Sequence, residues 1–241
     1  MRVAILSDIH GNLTAFEAVL ADLRLTAPDL ILHGGDLADS GSSPIEILDQ
    51  IRDLAWPGVL GNTDEILIDP ESLETFAAQS PAPPTIWAAV RNIATATRDL
   101  LGEDRIAWLR TLPRFQSHPT FALTHATPQS CWQAPSPKAT EADLEATYRS
   151  LDRPTVVFAH THIPSIRHLP GQPTLLLNTG SVGLSYDGDH RASYLLLDDS
   201  MPSIRRVAYD LDRELTLLTA SSLPGAAWTA RMLRTGSPQM P

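Results

Sequence analysis

Two polar residues near the start of the sequence have the types and spacing of a metal site. Asp8 and His10 follow an apolar run, Arg2 to Leu6, which is rich in branched residues and predicts a buried strand. Because side chains at i and i+2 of an extended chain point the same way, both are expected to face one point. A carboxylate oxygen with an imidazole nitrogen suits manganese, iron or zinc. Alone, the pair is equally compatible with a strand end that carries two chance polar residues.

The same arrangement recurs along the chain. Short apolar runs predict strands over 30–32, 59–60, 121–124 and 155–158, and polar residues follow their carboxyl ends: Asp36, Asn62, His125, and the pair His160 and His162. Open α/β sheets bind their ligands at this end of the strands. A Gly-Asp pair is by itself an ordinary turn, and a single histidine is more often structural than a ligand. Only the recurrence indicates a shared site.

The elements that must position these residues change character along the chain. Apolar spacing predicts a helix over 13–26, which Asn12 can cap, and the strand–helix–strand order at the start is typical of a parallel βαβ unit. After about residue 165, short strands alternate with hairpin-like turns. We therefore expect an α/β fold in which two mixed β-sheets pack face to face with helices on both outer sides, a four-layer αββα sandwich.

One domain is predicted over residues 1–241. A peripheral helical segment covers about 70–112, and an insertion of about 127–153 follows His125. We interpret the insertion as a lid or rim of the site; the alternative is a surface excursion. Exposed apolar residues in the helices of 70–112 could form the face of a homodimer.

Composition limits the classes of function. The chain of 241 residues is 43% hydrophobic, which permits a sizeable core, and its formal net charge is −10. The acidic balance disfavours nonspecific binding to DNA or anionic membranes. No apolar run approaches the roughly 20 residues of a membrane span. Cys131 is the single cysteine, so the chain has no intrachain disulfide. We interpret Cys131 as a structural thiol, and the absence of disulfides favours a cytoplasmic location.

Taken in order, the polar clusters read Asp-x-His, Gly-Asp, Gly-Asn, His and His-x-His. This ordered set resembles the calcineurin-like metallophosphoesterase superfamily. The opening Asp8-Ile-His-Gly-Asn12 and the segment Asn178-Thr-Gly-Ser-Val-Gly183 are similar to its small bacterial phosphodiesterase-like branch. The resemblance extends over about residues 1–210.

The resemblance implies two divalent metal ions held by seven catalytic ligands, with Mn favoured among Mn, Fe, Zn and Ni. One ion would be held by Asp8, His10, Asp36 and His162. The second would be held by Asp36, Asn62, His125 and His160, so that Asp36 bridges the ions. A hydroxide shared by the ions would attack phosphorus in a small phosphoester substrate.

Two positions depart from the family pattern. Thr63 replaces the usual histidine after Gly-Asn, and Ala159 replaces the glycine before His-x-His. That histidine assists the leaving group, a contribution of about 10²–10⁴-fold for such acid catalysis, and a threonine cannot donate the proton near pH 7. Either His33, His190 or a metal-bound water replaces it, or the substrate has a good leaving group.

Four residues are expected to contact substrate: Asn12, Asn178, His190 and Arg191. For Asn178 the alternative is a tight structural loop, and for Arg191 a surface charge. The resulting prediction is a metal-dependent, phosphodiesterase-like hydrolase of a phosphoester. The alternatives are a phosphomonoesterase acting on a phosphoprotein or nucleotide, and a non-catalytic metal-binding scaffold of the same fold. A nuclease is disfavoured because the chain has no basic stripe.

Overall fold

The computed structural model describes residues 1–136 and 138–241, and these form nine β-strands and eight α-helices. The strands are β1 (Arg2–Leu6), β2 (Leu30–His33), β3 (Phe115–Ser117), β4 (Phe121–Thr124), β5 (Thr155–Phe158), β6 (Ser165–His168), β7 (Leu175–Asn178), β8 (Ala192–Asp198) and β9 (Met201–Val207). The helices are α1 (Leu13–Thr26), α2 (Pro44–Leu54), α3 (Asn62–Ile68), α4 (Glu71–Ala77), α5 (Pro84–Leu109), α6 (Glu141–Tyr148), α7 (Leu211–Ala220) and α8 (Ala226–Thr235).

The strands form two mixed sheets. The four-stranded sheet has the order β2-β1-β8-β9, in which only β1 and β2 are parallel. The five-stranded sheet has the order β3-β4-β5-β7-β6, with β4, β5 and β7 parallel and both edges antiparallel. The carboxyl ends of the parallel strands therefore carry the loops in which the candidate ligands lie.

Alternating side chains divide the molecule into four layers. On β1, Val3 and Ile5 face the five-stranded sheet and join Leu123 and Val157 in the central core. Ala4 and Leu6 face the other way, into a second core with α1, α2, α3 and α5. On the far side, α6 packs on the outer face of the five-stranded sheet. The predicted αββα sandwich is confirmed.

Helix α1 shows how local chemistry sets an element that the site uses. The Asn12 side chain accepts a hydrogen bond from the Ala15 N–H at 2.9 Å, and Ala27 ends the helix with a left-handed backbone at φ 45°. The sequence predicted both ends of this helix. None of the helices in the described ranges combines the length and apolarity needed to cross a bilayer.

The third predicted strand, over 59–60, is wrong. Only a single bridge between His33 and Gly58 continues the sheet there, and the Leu60 N–H donates instead to the Pro113 carbonyl. The chain then enters α3 directly. The Gly61-Asn62-Thr63-Asp64 cluster thus begins a helix, which its loop-like composition did not predict. Strand β3 was also missed, because its side chains are largely exposed and show no apolar run.

The predicted insertion, described apart from residue 137, divides into two parts with different roles. Residues 127–136 form a rim beside the candidate ligands, with Trp132 at the cavity wall. Helix α6 is part of the outer layer, where Leu144 and Tyr148 pack against Val156 and Phe158 of β5. The interpretation as a lid is therefore wrong for the helix, because its apolar face is already buried against the sheet.

Candidate metal centre

Most of the candidate ligands lie in left-handed backbone. Positive φ angles occur at five of the seven: Asp8 (54°), His10 (49°), Asp36 (54°), His160 (65°) and His162 (58°). The argument from extended i, i+2 spacing was therefore wrong about the cause, since these pairs converge through loops that follow the strands. Left-handed backbone costs roughly 1–2 kcal/mol per residue, and such strain persists where the surrounding structure imposes it.

The first set of ligands forms a tight buried cluster. One ligand atom from each of Asp8, His10, Asp36 and His162 lies within 4.8 Å of the others. His162 Nε2 is 3.2 Å from Asp8 Oδ1 and 3.2 Å from His10 Nε2. This spread is close to twice the ~2.0–2.2 Å distance between a transition metal and a nitrogen or oxygen ligand.

Backbone carbonyls fix the protonation of these imidazoles. His10 Nδ1 donates to the Asp39 carbonyl at 3.1 Å, and His162 Nδ1 donates to the Leu184 carbonyl. Since a carbonyl only accepts, each Nδ1 carries a proton, and in the neutral ring each Nε2 then presents a lone pair. The two Nε2 atoms therefore face one another as acceptors, and the buried Asp8 Oδ1 beside them has no hydrogen-bond donor among the described residues. A cation between these groups fits the donor set.

The second set of ligands lies beside the first. His125 Nε2 and His160 Nδ1 lie 3.0 and 2.8 Å from Asn62 Oδ1. His125 Nδ1 donates to the Gly34 carbonyl at 2.7 Å, so Nε2 is the ring nitrogen that faces the amide oxygen and would be free to bind a metal. A cation shared by these groups would take the place of a proton on the ring.

Asp36 lies between the two sets. Its Oδ2 is 3.7 Å from His10 Nε2 and 3.5 Å from His125 Nε2, while its Oδ1 accepts from the Thr63 N–H at 2.9 Å. One carboxylate oxygen thus approaches one histidine of each set, which is the position that a bridging ligand needs.

Asp64 holds the loop that carries Asp36, a function that the sequence reasoning missed. Its carboxylate accepts hydrogen bonds from the backbone N–H groups of Asp36 (2.8 Å), Leu37 (3.0 Å) and Gly61 (3.0 Å). Its position three residues after Gly61, the residue that precedes α3, was the available signal. Burial and the nearby Asp36 carboxylate raise the pKa of Asp64 to about 6, against the opposing N–H groups.

The cluster has opposing effects on its ionisable groups. Burial raises the pKa of Asp8, but His162 and the other imidazoles outweigh it and the pKa falls below its usual range. Burial, and then His125, lower the pKa of His160 to about 4. For His125, burial lowers the pKa, yet the carboxylates of Asp36 and Asp8 raise it above the usual value. The field of the two buried carboxylates therefore attracts positive charge to this centre.

A cavity of about 180 Å³ opens over the cluster. Ligands of both sets line one side, and apolar and aromatic residues line the other. Among the residues that the structure describes, no lysine or arginine lines it. The sequence did not predict this wall, because its aromatic residues come from segments far apart in the chain.

The four expected substrate contacts do not lie in this cavity. Asn12 caps α1 and donates to the Gly183 carbonyl at 3.0 Å, and the Asn178 amide donates to the Ala159 carbonyl at 2.8 Å. Arg191 is paired with Asp189, and His190 is exposed. Neither Arg191 nor His190 lines the cavity. The two asparagines are held in structural hydrogen bonds, and Arg191 has the surface ion pair that was its alternative.

His33 is wrong as a replacement proton donor. Its ring is fully buried, with its centroid 6.4 Å from that of Trp108 and an angle of 43° between the ring planes, and it does not line the cavity. Burial lowers its pKa to about 4, so it is neutral at pH 7. A β-carbon on Gly58 would lie 2.2 Å from this ring, which explains the glycine there.

The family follows from comparison with known proteins. Residues 1–200 match the model of the calcineurin-like phosphoesterase superfamily domain, and the chain belongs to this superfamily. The resemblance read from the polar clusters is therefore confirmed, together with the fold that it implied.

Individual relatives extend over nearly the whole chain. An uncharacterized protein of Methanocaldococcus jannaschii, MJ0912, is 29% identical over 243 residues, with coverage of 92% of this chain and 93% of that protein. A metallophosphoesterase from Sphaerobacter thermophilus has a similar fold, with a TM-score of 0.79, 23% identity and coverage of 98% and 99%. The hypothetical protein PH1004 from Pyrococcus horikoshii OT3 gives a TM-score of 0.82, 19% identity and coverage of 99% of both chains.

Proposed function

We propose that this protein is a phosphoesterase with two divalent metal ions and that it hydrolyses phosphodiesters. The observation that carries the proposal is the set of facing ligand atoms, in which His10 Nε2 meets His162 Nε2 at 3.2 Å and His125 Nε2 meets Asn62 Oδ1 at 3.0 Å. Two such contacts, joined by Asp36 Oδ2, support two cations with a shared carboxylate.

The first ion would be held by Asp8, His10, Asp36 and His162, and the second by Asp36, Asn62, His125 and His160. When bound, divalent cations lower the pKa of a water nucleophile and neutralise charge on phosphoryl oxygens. Other groups of the chain keep the ligands in position. Backbone carbonyls orient the imidazoles, the Thr63 N–H donates to the Asp36 carboxylate, and Asp64 fixes the loop that carries Asp36. Ligands that mix oxygen and nitrogen suit Mn, Fe, Zn and Ni, and Mn is the ion that we favour.

The cavity lining favours a diester over a monoester. A phosphate monoester carries about −1.5 to −2 charge at pH 7, whereas a diester carries one negative charge. Because no lysine or arginine of the described chain lines the cavity, the cations alone must neutralise the substrate.

A cytoplasmic location remains a prediction from the single cysteine.

The test is hydrolysis of bis-p-nitrophenyl phosphate by the protein loaded with Mn²⁺, with p-nitrophenyl phosphate alongside and metal content measured per chain. We expect two ions per chain, cleavage of the diester above the monoester, and loss of activity on chelation with recovery on Mn²⁺ addition. Preference for the monoester would favour a phosphomonoesterase. Bound metal without hydrolysis of any ester would favour the non-catalytic scaffold.

A further inference from the structure

The cavity beside the candidate metal centre has an aromatic wall, here defined as Trp87, Trp132, Tyr186 and Trp228. These residues come from α5, the rim 127–136, the loop before β8, and α8. They face a polar side formed by candidate ligands, including His10, His160 and His162. The site thus combines an anion-binding centre with a flat-ring surface.

Contacts with neighbouring residues orient three members of the aromatic wall. Trp132 Nε1 donates to Glu65, and its ring packs on Phe76 at 4.8 Å. Trp228 Nε1 donates to the Gln239 carbonyl at 2.8 Å. The ring of Tyr186 stacks on His162 at 4.3 Å with an interplanar angle of 16°. Because these side chains are already oriented, a bound ring need not order them first.

The volume limits the size of the occupant. A cavity of about 150 Å³ is enough for benzene, and this one measures about 180 Å³. One aromatic ring next to the phosphoryl group fills it. A polyphosphate would bring several charges into a space where, among the described lining residues, neither lysine nor arginine is present.

A second compartment is available for the other ester substituent. A wider groove of about 660 Å³ shares Trp132, His160 and Tyr186 with the cavity and otherwise carries mixed polar and small residues such as Gln133 and Ser136. The two compartments meet at the candidate metal centre. This is the arrangement expected for a diester with one aromatic and one variable substituent.

Thr63 bears on which leaving group the cavity can accept. The residue lines the cavity, it is 9% exposed, and its buried hydroxyl has no hydrogen-bond partner within the described chain. A hydroxyl can donate a hydrogen bond to a substrate oxygen, but it is too weak an acid to transfer its proton near pH 7. An oxygen that is stable as an anion, such as an aryl oxygen, can depart in this cavity without a proton from Thr63.

We propose that the cavity binds an aromatic substituent of a phosphodiester and that this substituent departs as the leaving alcohol. This inference rests on the proposed function. In the reaction, the oxygen of water forms a bond to phosphorus and releases a proton to solvent. The bond between phosphorus and the aryl oxygen breaks, its electron pair goes to that oxygen, and the aryloxide takes a proton from solvent. The products are a phosphomonoester and a phenol-type alcohol.

Binding tests the aromatic cavity without relying on turnover. Titration calorimetry of the Mn²⁺-loaded protein compares O-methyl phenylphosphonate with O-methyl methylphosphonate, two stable monoanions that differ in one ring. We expect the phenyl compound to bind at least about tenfold more tightly, because ring burial and aromatic contact add to the shared anion binding. Equal affinity of the two compounds would overturn the cavity assignment.

Matched tryptophan variants locate the effect. Trp87→Leu should reduce the phenyl preference severalfold, whereas Trp108→Leu should retain it. Both residues lie on α5 and are half-buried, but Trp108 packs against His33 outside the cavity. A phenyl preference that survives unchanged in Trp87→Leu and also in Trp228→Leu would contradict the aromatic wall as the binding surface.

The leaving-group assignment is tested with the unaltered protein. Across methyl aryl phosphates whose phenols differ in pKa, kcat/KM should fall steeply as the phenol becomes less acidic, because the aryl oxygen departs without a proton from Thr63. A flat dependence, or equal cleavage of dimethyl phosphate, would overturn the assignment. Lack of hydrolysis of every ester would instead reject the proposed function, while the phosphonate affinities would still report on the cavity.

Discussion

At the scale of single residues, the candidate metal centre consists of histidine nitrogens and carboxylate oxygens that face one another and fit a shared cation. Carbonyl groups of Asp39, Leu184 and Gly34 each accept a hydrogen bond from Nδ1 of one histidine, and this turns each Nε2 toward the centre. Asp36 lies nearest to both sets. Both proposed metal sites therefore depend on the Asp36 carboxylate.

Replacing Asp36 with asparagine should remove most bound metal and most activity. The amide keeps the shape but loses the charge that would be shared by two cations, and it presents only one acceptor oxygen. Metal content per chain and hydrolysis of bis-p-nitrophenyl phosphate measure the effect. Asp53→Asn, at an exposed position, is the control. Full metal content and activity in Asp36→Asn would reject the model of the site.

Replacing Thr63 with alanine should reduce turnover by no more than about tenfold, since a neutral hydrogen bond contributes about 0.5–1.5 kcal/mol. Thr63→Ser keeps the hydroxyl and is the matched control. The measurement is kcat on an aryl diester at saturating Mn²⁺. A loss of several orders of magnitude in the alanine variant, restored by serine, would show that the hydroxyl acts in proton transfer.

His33 should make the fold sensitive to acid. Burial lowers its pKa in the folded state from 6.5 to about 4, so the folded protein binds fewer protons than the unfolded chain between these values. Its stabilising contribution is therefore fully present above pH 6.5 and is lost as the pH falls through 4. A shift of this size corresponds to about 3 kcal/mol.

The variant His33→Leu tests this contribution. Both ring nitrogens of His33 lack hydrogen-bond partners in the described chain, so leucine breaks no hydrogen bond. Urea unfolding should show that the free energy of unfolding of the variant, relative to the original protein, rises by about 3 kcal/mol from pH 7.5 to pH 4. The exposed His168→Leu serves as the reference. Parallel pH profiles for the original protein and His33→Leu would contradict the buried neutral imidazole.

At the scale of elements, α3 is the connection between the two ligand sets. It begins at Asn62, supplies the Thr63 N–H to Asp36, and holds the Asp36 loop through the Asp64 carboxylate. The helix start is therefore built into the centre. A change at Asp64 should act on metal binding through position, since Asp64 does not line the cavity.

The variant Asp64→Asn should weaken Mn²⁺ binding by about 10–100-fold, the usual effect of removing a group that orients a ligand. The asparagine oxygen can retain only part of the three N–H contacts. Isothermal titration calorimetry with Mn²⁺ measures the change in affinity. Excess Mn²⁺ should restore most of kcat. Glu71→Gln, in the exposed first turn of α4, is the control. Unchanged metal affinity would show that the loop holds Asp36 without Asp64.

At the scale of the whole molecule, the centre joins both sheets. Asp8, His10 and Asp36 follow strands of the four-stranded sheet, while His125, His160 and His162 follow strands of the five-stranded sheet. Bound metal would therefore tie the two halves of the sandwich together. A homodimer through the helices of 70–112 remains a prediction. Among the described residues of that segment, Leu100 is the one large apolar side chain that is exposed.

Metal binding should raise the midpoint of thermal unfolding. At a free Mn²⁺ concentration of about 100 times Kd, one site adds about 2.7 kcal/mol, which corresponds to roughly 5–10 °C for a chain of this size. Scanning calorimetry with Mn²⁺ and with EDTA measures the difference. In Asp36→Asn the shift should largely disappear. An equal midpoint with and without metal in the original protein would contradict a centre that joins the sheets.

Much of the fold follows from local patterns in the sequence. The ends of α1 agree with the predicted ones, because Asn12 and the apolar spacing act within a few residues. Strand β1 is equally local, since its apolar run ends where polar residues begin. The chain order of the polar clusters also identified the superfamily, which the family comparison confirmed.

The sequence by itself determined the types of the candidate ligands, their order along the chain and the αββα class, since these depend on residue chemistry and short-range spacing. Only the tertiary structure decided that His10 meets His162 across 152 positions, and that carbonyl groups leave both lone pairs facing inward. It also decided the left-handed backbone at Asp8 and the aromatic wall. Those features arise from contacts between distant segments, whose energies no local pattern encodes.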